Sequence, residues 1–148
     1  MDETLKAKII DLLAHHNVMT LATVRPDGFP QATIVYYVND GLVLYFATDP
    51  TSQKASNIQL NKKVSVAIAD EIDNSYKLRA LSLSGIAERI SDPSRILELQ
   101  SRLFQAVPQA KRFAPMDAKR IVVYSITPIA ISVVDYAAGY GTTVLVEL

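Results

Sequence analysis

Apolar and polar positions along this chain change period several times, and each change marks a predicted element. From Asp2 to His16, the residues Leu5, Ile9, Leu12 and Leu13 recur at helical spacing while Lys6, Lys8 and Asp11 take the other positions, so this stretch predicts an amphipathic helix. From Asn17 the period shortens. Val18 to Val24 and Gln31 to Val38 are rich in β-branched and aromatic residues, and Pro26-Asp27-Gly28 between them supplies a turn. Asn39-Asp40-Gly41 is a hairpin signal leading into a third strand, Leu42 to Thr48. The three strands form an antiparallel meander.

Asp49-Pro50 breaks the third strand, and a helix begins at Thr51 or Ser52 and runs to about Asn61, with Ala55, Ile58 and Leu60 toward the core. Val64 to Asp70 reads as a fourth strand. A polar turn leads to a long strand, Tyr76 to Ile90, in which Leu81 and Leu83 alternate with Ser82 and Ser84 and Gly85 marks a bulge or bend. Ser91-Asp92-Pro93 is a helix-start signature, and Ile96, Leu97, Leu99, Leu103 and Phe104 give that helix an apolar side until Pro108. Two β-rich runs follow, Arg120 to Ile126 and Ile129 to Asp135, divided at Thr127-Pro128 because proline lacks the N–H a ladder needs. The expected fold is mainly β: a six-stranded antiparallel split β-barrel of Greek-key type, with N-terminal, inserted and capping helices, as a single domain over residues 1–148.

Charge narrows the partners. Fifteen basic and fifteen acidic residues balance to a net charge of +0, so no broad field draws the protein to nucleic acid or to an anionic membrane. The chain has no cysteine, which removes disulfides, thiolate metal sites and cysteine nucleophiles. It opens on an acidic amphipathic segment, and no apolar run approaches a membrane span, so a cytoplasmic location is expected.

Candidate chemistry concentrates between Leu44 and Asn57. A helix start leaves backbone N–H groups unpaired at the positive end of the macrodipole. Around this start lie the hydroxyls of Thr48, Thr51 and Ser52, the ammonium of Lys54 and unpaired amides near Lys54 and Ala55, a set of donors suited to a phosphate. The alternative is an ordinary Ser or Thr cap beside a solvated lysine. His15 and His16 end the first helix; as neighbours on a helix they point in different directions, which disfavours joint ligation of haem.

The order Tyr-Phe-Ala-Thr-x-x-x-Ser-x-Lys-x-x-Asn (Tyr45 to Asn57) resembles the phosphate-binding segment of the flavin-binding split-barrel family that includes pyridoxamine 5′-phosphate oxidase. The stretch Ala22 to Val35, with Asp27-Gly28 and Pro30, and the stretch Ser84 to Ile90 resemble the same family. The resemblance implies FMN as cofactor, a homodimer with FMN at the subunit interface, and a small-molecule substrate. It implies that Thr48, Ser52 and Lys54 hold the phosphate with Gln53 beside them, that Ala47 also contacts the cofactor, and that Thr33, Ile34, Val35, Tyr36 and Tyr37 supply backbone groups and one face to the ring. Tyr136 and Tyr140 are the implied contacts near the C-terminus. Thr33 stands where the family often has an arginine, so the phosphate leans more on Lys54. No Arg or Lys follows Arg120, whereas the oxidase carries a basic C-terminal motif, which argues against pyridoxamine phosphate as substrate. The resemblance thus implies an FMN-dependent oxidoreductase; a deazaflavin- or haem-binding relative and a non-catalytic, stress-related flavin module are the alternatives.

Overall fold

The computed structural model describes residues 1–71, 79–107, 120–135 and 143–148. Their elements are α1 (Glu3–His15), β1 (Val18–Val24), β2 (Pro30–Tyr36), β3 (Val38–Asp40), β4 (Val43–Thr48), α2 (Gln53–Leu60), β5 (Lys63–Ala69), β6 (Arg79–Arg89), α3 (Pro93–Ala106), β7 (Val122–Asp135) and β8 (Thr143–Glu147). The helices start where side-chain acceptors sit. Asp2 accepts from the Leu5 amide at 2.8 Å, Ser52 caps α2, and Asp92 caps α3 with Pro93 at its first position.

All strand pairs are antiparallel, in the order β2-β1-β5-β6-β7-β4-β3, with β8 added to β7. The two ends of this order, β2 and β3, are consecutive in the chain and joined by Tyr37 alone. The sheet therefore curls into a split barrel, as expected from the sequence. Eight strands appear among the described residues where six were expected. The Gln31 to Val38 run breaks at Tyr37 to give β3, and β8 forms from the C-terminal stretch.

Two expectations change. The runs on either side of Thr127-Pro128 form one strand, β7. The missing proline N–H falls where β7 changes neighbours, because β4 pairs with it up to Ile126 and β8 from Ala130, and Ile129 bulges out of register with β6. Leu60 is 71% exposed instead of facing the core, since α2 ends at that residue. Gly85 does sit at the bulge, as its place in the pattern suggests. A Cβ there would lie 2.8 Å from both Ile126 Cγ2 and the Thr127 carbonyl oxygen, so the crossing of β6 and β7 admits only glycine.

Leu21, Leu44, Phe46, Leu83, Ile126 and Ile131 fill the interior, and Ile9, Leu12 and Leu13 of α1 join the same core. Tyr37 ties these parts together. Its amide donates to the Asn17 carbonyl at 2.9 Å and its fully buried hydroxyl donates to the Leu13 carbonyl at 2.8 Å. Burial pushes its pKa well up, which keeps the phenol a neutral donor. On the other side, Arg102 of α3 donates to Asp40 at 2.8 Å and to the Asn39 carbonyl at 2.8 Å, Arg95 also binds Asp40, and the Arg95 guanidinium lies 5.0 Å from the centre of the Tyr45 ring. Slight burial raises the Asp40 carboxyl, but hydrogen bonds from Arg95 and Arg102 outweigh it and hold the pKa below its ordinary value.

Tyr37→Phe keeps the ring and leaves the last-turn carbonyl of Leu13 buried without its donor. The expected loss is about 1–3 kcal/mol of unfolding free energy, read from urea titration; a variant as stable as the parent would show that the hydroxyl is not the tie.

Candidate functional site

β4 ends at Thr48, and the chain turns through residues 49–52 before α2. Asp49 organises that turn, accepting from the Thr51 hydroxyl at 2.6 Å and the Thr51 amide at 2.7 Å, while the Ser52 amide donates to the Asp49 carbonyl at 3.0 Å. The hydrogen bonds from Thr51 hold the Asp49 carboxyl below the usual range. Of the three hydroxyls read from the sequence, that of Thr51 is therefore engaged by Asp49. The other two are neighbours, with Thr48 Oγ1 3.1 Å from Ser52 Oγ.

Ser52 Oγ accepts from the Ala55 amide at 3.3 Å. The amides left without an acceptor among the described residues are those of Gln53 and Lys54, one position earlier than the sequence pattern suggested. The electrostatics of this helix start differ from those of the other two. α1 and α3 are capped by the carboxylates of Asp2 and Asp92, whereas α2 has a neutral Ser52 cap and no acidic residue in its first turn. Lys54, half-buried and without an ion pair among the described residues, adds a cation to the positive end of the dipole. Two bare amides, one ammonium and a dipole end with no acid in its first turn make a corner chemically suited to an anion, with the Asp49 carboxylate turned onto Thr51.

A buried amide sets this corner against the sheet. Asn57 is fully buried on α2; its Nδ2 donates to Thr23 Oγ1 of β1 at 2.9 Å and to Gln31 Oε1 of β2 at 3.1 Å, and its Oδ1 accepts from Gln53 Nε2 at 2.8 Å. Thr23 is itself buried. Two positions beyond Gln31 on the same face of β2 stands Thr33, whose Oγ1 is buried and has no hydrogen-bond partner among the described residues. Such an atom is costly unless a ligand or water satisfies it. Gln31, Thr23 and Asn57 carry no motif that marks them, apart from the place of Asn57 at the end of the Tyr45 to Asn57 pattern. Their signal was polarity at positions where the helical and strand periods call for core.

β2 divides the remaining predicted residues between two faces. Thr33 and Val35 point inward, whereas Ile34 is 68% and Tyr36 44% exposed on the opposite face. The Tyr37 side chain lies in the core, bonded to Leu13. Ala47, half-buried beside Thr48, pairs with Val123. Tyr136 and Tyr140 lie outside the described residues. The two histidines have local partners: His16 Nε2 is 2.8 Å from Asp70 Oδ1, and His15 Nδ1 is 2.7 Å from the Asp11 carbonyl oxygen. Among the described residues no helix is long and apolar enough to cross a membrane.

A curled antiparallel barrel with a helix start after its fourth strand defines the class, a split-barrel protein. Residues 5–135 match the pyridoxamine 5′-phosphate oxidase family, and the chain belongs to it. General stress protein 26 of Bacillus subtilis is 27% identical over 146 residues, covering 99% of this chain and 98% of that protein. Among solved structures, an F420 reductase is 33% identical over 82% of this chain and 94% of its own, with a TM-score of 0.64. A heme binding protein from Mycobacterium smegmatis has the same fold, with a TM-score of 0.79 at 21% identity; it matches 99% of this chain, which spans 59% of its length.

The Asn57 network generates a pH signature. In Asn57→Asp the new carboxyl can donate only while protonated, so its native pKa lies above the unfolded value near 4. The native state then binds the extra proton, and stability relative to the parent falls as pH rises from about 4 upward. Urea midpoints measured across that range check it; a pH-independent difference would mean that the amide does not sit in a closed hydrogen-bond set.

Proposed function

We propose that this chain is an FMN-binding flavoprotein, an FMN-dependent oxidoreductase of the pyridoxamine 5′-phosphate oxidase family whose substrate is not pyridoxamine phosphate. The observation that carries the reading is the start of α2, where the Gln53 and Lys54 amides have no acceptor among the described residues and the Lys54 ammonium has no ion pair among them. Thr48, Ser52, Gln53 and Lys54 hold the FMN phosphate. Thr33, whose buried hydroxyl lacks a partner, gives it one further hydrogen bond. The backbone from Thr33 to Tyr37 and Ala47 borders the ring, with Tyr136 and Tyr140 as contacts from the C-terminal stretch. The flavin supplies the redox chemistry itself, so the protein's part is to bind, orient and shield it.

Two further elements belong to this reading: a cytoplasmic location and a homodimer. β2 is an edge strand whose outer face presents Ile34 and Tyr36, flanked by Phe29 at 69% and Val18 at 38% exposure. A second copy covering this face would bury apolar surface and bring its own residues to the cofactor. The match to an F420 reductase favours a deazaflavin as the second reading, since that cofactor also carries a phosphate.

Extraction of the chromophore from purified protein tests the cofactor, with FMN expected; a deazaflavin would move the assignment to the second reading. Lys54→Ala is expected to weaken FMN binding by about 1.5–3 kcal/mol, the range for a charge-assisted hydrogen bond, in a fluorescence titration. Unchanged affinity would remove the corner from the site. Ile34→Lys is expected to shift the mass in light scattering from dimer to monomer; a parent that is already monomeric would sink the interface.

A further inference from the structure

A cavity of about 280 Å³ lies on another side of α2, between that helix and the adjoining ends of β6 and β7. Ala55 and Ile58 of α2 form one wall, and Ala87 of β6 with Val122 and Tyr124 of β7 form the other. Pro50 of the turn before α2 also lines it, whereas Thr48, Ser52, Gln53 and Lys54 do not, so it adjoins the corner without sharing its donors.

Its charge is one-sided. Lys62 and Arg89 line the cavity and no acidic residue does. Lys62 is paired with Glu88 at 3.0 Å, whereas Arg89 has no ion pair or hydrogen bond among the described residues. Tyr124 is 6% exposed as a residue, and its hydroxyl, which has no hydrogen-bond partner among the described residues, remains accessible to solvent. Its ring is held against Phe46, with centroids 5.4 Å apart at 16°. Burial raises the Tyr124 pKa, with the Arg89 charge opposing it in part, so the phenol is a neutral donor.

A guanidinium and a phenolic O–H thus border one cavity whose walls mix apolar side chains with Gln59 and Lys62, and neither has a protein acceptor among the described residues. A single guanidinium presents a planar fork that matches a carboxylate, while a phosphate dianion calls for more positive charge than Arg89 alone leaves free. We propose that this cavity binds a small monocarboxylate with an apolar or aromatic body, its carboxylate held by Arg89 and the Tyr124 hydroxyl and its body packed against Ala55, Ile58 and Val122.

The probe is benzoate, titrated into the purified full chain by calorimetry and by amide chemical shifts, with benzyl alcohol and inorganic phosphate as comparators. Saturable one-to-one binding is expected, with shifts centred on Ala55, Ile58 and Ala87 and with benzyl alcohol and phosphate far weaker. Arg89→Gln, at an exposed and unpaired position, is expected to lower benzoate affinity about tenfold or more, and Tyr124→Phe, which keeps the ring stack, to lower it several-fold with unchanged urea midpoints for Arg89→Gln. Benzoate that fails to saturate the parent, benzoate bound equally by Arg89→Gln, or phosphate bound more tightly than benzoate would each overturn the proposal. None of these readings depends on whether flavin binds.

Discussion

The buried amide of Asn57 is the constraint on which the arrangement of the site rests. A short helix lying on a curled sheet has few apolar contacts to fix its rotation, and α2 buries only Ala55, Asn57 and Ile58. Apolar packing tolerates small rotations; a side chain that donates to Thr23 and Gln31 and accepts from Gln53 does not, because any rotation leaves a buried polar group unpaired. Three elements are thereby held in one relation. The start of α2 is placed against the end of β4, where Thr48 and Ser52 meet, and the polar face of β2 is turned toward the helix.

What this placement presents is an uncompensated positive end. The other two helices close their starts with aspartates, as isolated stability would favour. α2 instead keeps a neutral cap, two bare amides and a lysine, an arrangement that lowers the stability of the empty protein and raises its affinity for an anion. Family membership and this local electrostatic choice point the same way, the turn lying within the residues that match the family. The opposite flank of the same helix holds the Arg89 and Tyr124 cavity, so one eight-residue element borders both features.

Much of this was legible in the chain. Asp2, Ser52 and Asp92 announced the helix starts, Asp27-Gly28 and Asn39-Asp40-Gly41 the turns, and Gly85 the bulge, because caps, turns and close approaches each demand particular residue types. The corner at Tyr37 was not legible, since a run of aromatic and β-branched residues continues across it and only the hydroxyl bond to Leu13 reveals the break. Pro128 misled for the opposite reason: its lost N–H is harmless where β7 exchanges β4 for β8, a fact of topology that no local pattern carries. At the site, the Ser52 and Lys54 spacing was visible, whereas the roles of Thr23, Gln31 and Asn57 depend on three distant segments meeting, and which amides remain bare depends on the reach of the Ser52 hydroxyl.

Where an anion settles is the most direct test. A crystal structure grown with excess FMN should place the phosphate within about 3 Å of the Gln53 and Lys54 amides and of the Lys54 ammonium, with the Thr33 hydroxyl newly bonded. An FMN phosphate bound elsewhere, or a corner filled with water while Lys54 turns to solvent, would contradict it.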